Sequence, residues 1–161
     1  MPAPMSTRRR AVAAGVLALA TFASATVAAP AAGAGTGFRA KLLTLINASR
    51  ERRDLAAVSL NGSLSDDARR HTRKMLRQDE IFDPRNLQEI LSGYDWDDLG
   101  AAAVGCGATL RGLHRALMES EVHREILLHP RLRRVGIGVI ETDERNLCGR
   151  GSFWATEIFY G

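Results

Sequence analysis

The sequence has little lysine, few cysteines and few aromatic side chains. Lysine occurs only at positions 41 and 74 among 22 basic residues, and aromatic residues make up 6% of the chain. It contains no Gly-x-Ser-x-Gly, no His-Glu-x-x-His and no phosphate-binding P-loop pattern. These absences exclude the most readily recognised serine hydrolases, zinc peptidases and nucleotide hydrolases. What is present is a chain of 161 residues with 45% apolar residues, enough to bury the core of one domain.

The N-terminal segment differs in composition from the rest of the chain. Three consecutive arginines, residues 8–10, precede an alanine-rich run over residues 11–29, and a small-residue cleavage site ends at Ala34. This order predicts a signal peptide, residues 1–34, and a mature domain, residues 35–161, that is secreted or associated with the cell envelope. An uncleaved anchor is the alternative, but alanine inserts weakly into membranes. Cleavage a few residues earlier and twin-arginine export also stay open.

Export changes the meaning of the net charge. Once the three signal arginines are removed, 19 basic residues remain against 18 acidic residues, and all of the acidic residues lie in the mature part. A nucleic-acid partner is therefore not expected. We interpret the basic runs at 50–53, 69–74 and 131–134 as solvated faces interspersed with acids. We expect a monomer that contacts a membrane only through its signal peptide.

Two cysteines, Cys106 and Cys148, form an even set in an exported chain. An oxidising compartment lets such a pair persist as a disulfide. The bridge would close a loop of about 42 residues and stabilise the fold by roughly 4 kcal/mol. Two free thiols are the alternative.

The first half of the mature chain reads as two amphipathic helices. Apolar residues at helical spacing predict the first helix over residues 38–53, and an Asn-Gly turn follows an extended link at 55–60. Residues 65–67 are predicted to cap the second helix. Its apolar stripe places His71 as a core or boundary residue rather than a ligand. The stripe consists of Leu64, Ala68, His71 and Met75.

The second half reads as a structured loop, two helices and two strands. The loop covers residues 79–108 and contains Leu87–Leu91 and a short strand near 101–106. The remaining predicted elements are a helix capped by Thr109 and ending at Met118, a helix Glu121–Leu128 capped by Ser120, a strand in which Val135, Ile137 and Val139 alternate with glycine, and a strand Phe153–Tyr160. This order predicts an α+β fold with helices packed on a small antiparallel sheet.

The order of motifs resembles the CAP superfamily, which comprises the cysteine-rich secretory, antigen 5 and pathogenesis-related 1 proteins and is also called the SCP-like domain. The resemblance covers nearly all of residues 38–161, and its most specific stretch is LHRALMESEVHREILLHPRLRRVGIGV. It implies an α-β-α sandwich, a small antiparallel sheet flanked by about four helices. It also implies a cleft in which two histidines and two glutamates gather, sometimes around a divalent metal.

The sequence departs from this tetrad at three of four positions. Asp83 stands where the resemblance places the first histidine, and Ala101 follows Gly100 where it places the first glutamate. The second glutamate falls nearest to Ser120. Only His123, in a Ser-x-x-His-Arg motif, is retained.

The remaining groups leave three hypotheses. A binding module with no catalytic residue, no cofactor and no metal would use His123, His114, Asp83 and Ser120 as cleft residues, for a peptide, a lipid-like ligand or a cell-wall fragment. A metal-assisted hydrolase would rebuild a site from His114, His123 and Asp83, because a zinc site needs three or four ligands. The third hypothesis is an interaction or structural protein of the cell envelope. Ser120 and His123 could meet on a helix, but Ser120 is already explained as a cap.

Overall fold

The computed structural model describes residues 32–161, with side chains from residue 36 onward. The predicted signal peptide lies outside this range except for its last three residues, which begin the first helix, so its cleavage stays a prediction. No helix in this part of the chain is both long and apolar enough to cross a membrane. The elements are α1 (Ala32–Glu51), β1 (Ser59–Leu60), α2 (Gly62–Gln78), α3 (Leu87–Leu91), β2 (Gly100–Gly107), α4 (Leu110–Glu119), α5 (Glu121–Leu127), β3 (Arg134–Thr142) and β4 (Ser152–Tyr160).

The sheet has the strand order β1-β3-β4-β2. The three long strands pair antiparallel, with Ile137 of β3 and Ala103 of β2 on either side of Glu157 of β4. The two-residue strand β1 adds to the edge in parallel with β3, through the end of the predicted extended link. Placing the C-terminal hairpin at the centre of the sheet explains why β4 is buried along most of its length.

Helices cover both faces of the sheet and form three layers. Helices α1, α4 and α5 bury the main apolar cluster against one face, where it includes Leu42, Leu113 and Phe159. Helices α2 and α3 cover the opposite face with two smaller clusters, centred on Leu64 and on Trp154. The α+β class and the α-β-α sandwich are confirmed.

Helix α2 packs so closely on β3 that no side chain fits between the two backbones at Gly136 and Gly138. Side chains built at Gly136 and Gly138 would overlap Leu64 and the Ala68–Arg69 backbone. The bare strand face therefore admits the helix, as the alternating glycines predicted. The Thr72 hydroxyl secures the contact because it lies 2.9 Å from the Gly138 carbonyl oxygen and 2.9 Å from the Thr156 hydroxyl.

The predicted cap of α2 was wrong in position. Asn61 caps the helix, since its side-chain oxygen accepts from the Leu64 amide at 3.0 Å. Ser65 instead lies inside the first turn, where its hydroxyl donates to the Asn61 carbonyl and accepts from the Ile137 amide at 3.0 Å. Because Asn serves turns and caps equally well, the Asn-Gly pair was misread as a turn.

Arg50 contradicts the interpretation of residues 50–53 as a solvated face. It is completely buried, and burial lowers the pKa of its guanidinium. The guanidinium donates to four backbone carbonyls at 2.8–3.2 Å, those of Ala56, Leu127, His129 and Leu132. Arg50 thereby attaches the C-terminal end of α1 to the segment that follows α5. The arginine fork supplies enough donors to satisfy a loop that would otherwise bury unpaired carbonyls.

Cys106 and Cys148 are joined in a disulfide, as predicted. Their Cα atoms are 6.1 Å apart and their sequence separation is 42. The bridge ties β2 to the connection between β3 and β4.

Candidate functional site

His123 and Ser120 are brought together at the start of α5. The His123 Nδ1 atom lies 3.0 Å from the Ser120 hydroxyl oxygen. Ser120 occupies the N-cap position, but its side chain makes no capping bond, so the predicted capping role was wrong in its chemistry. The pair has no third group in the described chain to orient the imidazole, which a nucleophile–base arrangement requires.

His114 lies on the wall between α4 and α1 and belongs to a different site. It is 6% exposed, and its Nε2 atom lies 2.8 Å from the hydroxyl oxygen of Ser49 on α1. Burial, reinforced by the positive charge of Arg52, lowers the pKa of His114 to about 4. The imidazole is therefore neutral at physiological pH.

The three candidate metal ligands do not form one site. Asp83 is exposed in the loop after α2, and its neighbour Phe82 packs on the α2 face of the sheet, whereas α5 packs on the opposite face. Among the described residues, no group of three or more histidine, cysteine, aspartate or glutamate side chains is placed to hold a metal ion. These residues do not fit the divalent-metal site that the resemblance implies.

A small pocket lies at Ala101, the position at which the resemblance places the first glutamate. Ala101 lines it together with Val122 and Ile126 of α5, and its volume is about 220 Å³. Val122 is 66% exposed beside it. Ala101 contributes only a methyl group to this pocket, whereas Glu125 and His129 contribute the polar groups of its wall.

A larger cavity lies elsewhere, between α2 and the α3 segment. We call it the polar cavity; its volume is about 840 Å³. Most of the side chains that line it are polar. They are Asn61, Ser63, Asp67, Arg70, His71, Lys74, Asn86, Glu89 and Tyr94, with Ile90 and Gly93 completing the wall.

Charges within the polar cavity balance and partly pair with one another. Asp67 accepts hydrogen bonds from the Arg70 guanidinium and from the Tyr94 hydroxyl. Burial raises the pKa of Tyr94, so the phenol remains a neutral donor. Asp67 and Glu89 together offset Arg70 and Lys74. A ligand in this cavity would thus meet hydrogen-bonding groups in a field with no net charge.

His71 forms part of the cavity wall and is already engaged. Its Nε2–H donates to the Phe82 carbonyl at 2.7 Å, and its ring packs edge-on against the Phe82 ring. The prediction that His71 is a satisfied boundary residue is confirmed. The sequence did contain a signal for the cavity, since positions 67, 70, 71 and 74 recur at the spacing of one helix face. The sequence interpretation divided that face, because it assigned Asp67 to the helix cap, His71 to the apolar stripe, and Arg70 and Lys74 to a solvated run.

Glu157 is a buried carboxyl group in the middle of the sheet. It is 0% exposed, both carboxyl oxygens have no hydrogen-bond partner in the described chain, and burial raises its pKa to about 8. It is therefore protonated at neutral pH. It lies between Ala103 and Ile137 and faces the main apolar cluster rather than the small pocket or the polar cavity.

Comparison with known proteins agrees with this architecture. The profile of the Cysteine-rich secretory protein family matches residues 43–159. A search among curated proteins finds no match to this sequence. Among solved structures, an extracellular SCP-domain protein from Bacillus anthracis is 18% identical with a TM-score of 0.63, over 78% of this chain and 41% of that one.

Two further structures are similar. An outer surface protein from Borrelia burgdorferi is 17% identical with a TM-score of 0.62, over 77% of this chain and 92% of that one. A cysteine-rich secretory protein from Staphylococcus aureus is 18% identical with a TM-score of 0.60, over 81% of this chain and 40% of that one. This chain thus spans about two fifths of the B. anthracis and S. aureus chains. At these identities the likeness shows the fold, and together with the profile match it establishes that the chain belongs to the cysteine-rich secretory protein (CAP) family.

Proposed function

We propose that this protein is a secreted bacterial binding module without catalytic activity. It holds a polar ligand with no net charge, a peptide or a cell-wall fragment, in the polar cavity. The observation that carries the proposal is the balanced set of hydrogen-bonding side chains around a space of about 840 Å³. Ligand sites combine a concave shape with a few oriented polar groups, and both are present here. The extracellular and outer-surface descriptions of the similar structures support secretion.

The polar lining narrows the ligand classes. An acyl chain would desolvate Asp67, Arg70 and Lys74 without offering any of them a new hydrogen-bond partner, which costs free energy. A peptide or a glycan offers donors and acceptors in alternation and would satisfy them. A lipid-like ligand is therefore the least suited of the three classes.

Positioning of the cavity groups supports binding rather than turnover. Asp67 is held from two sides by Arg70 and Tyr94, and His71 donates to a backbone carbonyl. No serine of the cavity forms a described hydrogen bond to a histidine or a carboxylate. Nucleophilic catalysis requires such a pairing.

The test is isothermal titration of the secreted protein with a muramyl peptide and with a chitin oligosaccharide. Asp67→Asn removes the charge that organises Arg70 and Tyr94, and we expect it to weaken binding about tenfold, the loss of one charge-assisted hydrogen bond. Asp66→Asn is the matched control, because Asp66 is exposed and pairs with Arg39. Binding that survives Asp67→Asn unchanged, or hydrolysis of either probe, would contradict the proposal.

A further inference from the structure

A second concave site lies on the opposite side of the sheet from the polar cavity. It runs between α1 and α4, has a volume of about 440 Å³, and we call it the arginine groove. Its charged and polar walls are formed by Arg52, Arg53, Arg111, Arg115, His114 and Glu119. Four guanidinium groups thus face one carboxylate, and the groove carries a net charge of +3 before any ligand is considered.

These arginines have no acidic partner in the described chain. The two ion pairs found there join Arg39 to Asp66 and Arg70 to Asp67, and neither involves the groove. Arg52 and Arg53 donate to Ser49, to its hydroxyl and to its carbonyl respectively. Cations at the C-terminal end of a helix are favourable, so helix stability alone accounts for these two.

Helix stability does not account for the two arginines on α4. Arg111 is the second residue of the helix, in a first turn that contains no acidic side chain. A cation there opposes the helix dipole. Arg115 follows at i+4, where a like charge is also destabilising. Both arginines thus lower the stability of α4, and both lie on the groove wall that faces Arg52 and Arg53. Their placement therefore indicates a role in binding rather than in folding.

The wall of the groove also contains His114, whose Nδ1 atom is a buried ring nitrogen without a hydrogen-bond partner. The Ser49 hydroxyl oxygen has two described partners, the Arg52 guanidinium, which can only donate, and the His114 Nε2 atom. The Ser49 hydroxyl can donate to Nε2 or accept from it, and only the first arrangement puts the imidazole proton on Nδ1. Nδ1 is buried and has no hydrogen-bond partner. In the tautomer that carries a proton on Nδ1, a buried N–H group lacks an acceptor, and an anionic oxygen would satisfy it.

From this geometry we propose that the arginine groove binds a phosphoryl oxyanion carried on a small organic group. Guanidinium groups match phosphate oxygens in bidentate pairs, and a multiply charged oxyanion uses several of them at once. The groove is larger than a single phosphate needs, and Leu45 and Met118 supply an apolar portion for the organic remainder. This site goes beyond the proposed function, which concerns a different cavity and a ligand without net charge.

The first experiment is titration of the secreted protein with inorganic phosphate and with glycerol 3-phosphate, at low and at high salt. Arg111→Gln/Arg115→Gln removes two exposed charges from the groove, and we expect it to weaken binding at least about tenfold. Arg131→Gln/Arg133→Gln is the control, because it removes the same charge from exposed positions outside the groove. Circular dichroism confirms that both variants are folded.

A second readout follows His114 itself. Nitrogen chemical shifts of the His114 ring report whether Nδ1 carries a proton, and we expect the Nδ1 resonance to shift on addition of glycerol 3-phosphate. Vesicles of phosphatidylglycerol, compared with phosphatidylcholine, distinguish a lipid headgroup from a free phosphate ester. Loss of either interaction in the groove variant alone supports the site. Equal losses in the groove and control variants, or no binding by the native protein, would overturn it.

Discussion

The polar cavity and the arginine groove lie on opposite sides of one sheet and differ in charge. The charges of the polar cavity balance, whereas those of the arginine groove are mostly positive. In the polar cavity Asp67 is held by Arg70 and Tyr94, and the charges balance. In the arginine groove Arg111 and Arg115 have no acidic partner in the described chain, and the wall contains an imidazole nitrogen without a hydrogen-bond partner. A site whose charges satisfy one another suits a polar ligand without net charge. A site whose charges repel one another favours a ligand of opposite charge, and this difference separates the two proposed binding chemistries.

We expect the largest change in the free energy of unfolding from a substitution at Arg50, because Arg50 fixes the end of α1 that forms one wall of the arginine groove. Arg50→Met removes the donors to four buried carbonyls. We expect the free energy of unfolding to fall by about 4 kcal/mol, in the range for breaking a buried charged network. Urea denaturation measures it. Arg133→Met, at an exposed position, should change it by less than about 0.5 kcal/mol, and equal losses would refute the anchoring role.

Glu157 and His114 should make stability depend on pH with opposite signs. The Glu157 pKa is raised from 4.5 to about 8, so the unfolded chain ionises first and stability falls as pH rises through this window. The His114 pKa is lowered from 6.5 to about 4, so stability falls as pH drops through that window. The two effects offset one another between 4.5 and 6.5, and Glu157 acts alone above that.

The measurable consequence is a loss of about 2 kcal/mol between pH 6.5 and 8, at about 1.4 kcal/mol per pH unit. Thermal or urea unfolding across this range measures it in the native protein and in Glu157→Gln. The amide does not ionise, so the variant should show a flat profile over the same range. A slope that persists in Glu157→Gln would assign it to another group.

A smaller effect is expected at the sheet face under the polar cavity. Thr72→Val keeps the side-chain shape but removes the hydroxyl that contacts the Gly138 carbonyl and Thr156. We expect a loss of about 1–2 kcal/mol, the cost of leaving a buried polar group unpaired. Thr44→Val is the control, because Thr44 is exposed and its hydroxyl bonds only within its own helix. Similar losses at both positions would mean that helix propensity, not the α2 contact, is being measured.

The smallest expected change in stability comes from single arginine substitutions, which compare the charges of the two sites directly. Arg111→Gln should raise the free energy of unfolding by about 0.5 kcal/mol at low salt, because it relieves a dipole and an i,i+4 repulsion. Arg70→Gln should lower it by a similar amount, because Arg70 pairs with Asp67. Both changes should shrink in high salt. The same sign for both substitutions would remove the distinction between the two sites.

The fold was predictable because its signals are local and periodic. The stripe of Leu64, Ala68, His71 and Met75 gave α2, and Thr109 caps α4 through the Gly112 amide at 2.9 Å as expected. Alternating glycines in β3 predicted the close approach of α2. The pairing of β1 with β3 was not predicted, because two residues are too few to carry a strand pattern.

The candidate sites were less predictable, because they depend on contacts between distant segments. His114 and Ser49 are 65 residues apart in the sequence, and no local pattern around either residue predicts that they are in contact. The same limit applies to Arg50, which looks like one more arginine in a charged run until its four carbonyl partners are placed around it. Charge patterns in sequence indicate exposure on average, and they fail where a single long side chain turns inward.

The bridge between Cys106 and Cys148 has a consequence for cleavage by proteases. A protease that cuts the backbone once, anywhere from residue 107 to residue 147, severs the chain inside the closed loop. The two pieces remain covalently joined, and α4, α5 and β3 stay attached to the rest of the domain. A single nick should therefore appear only on a reducing gel, while the protein continues to migrate as one species without reductant.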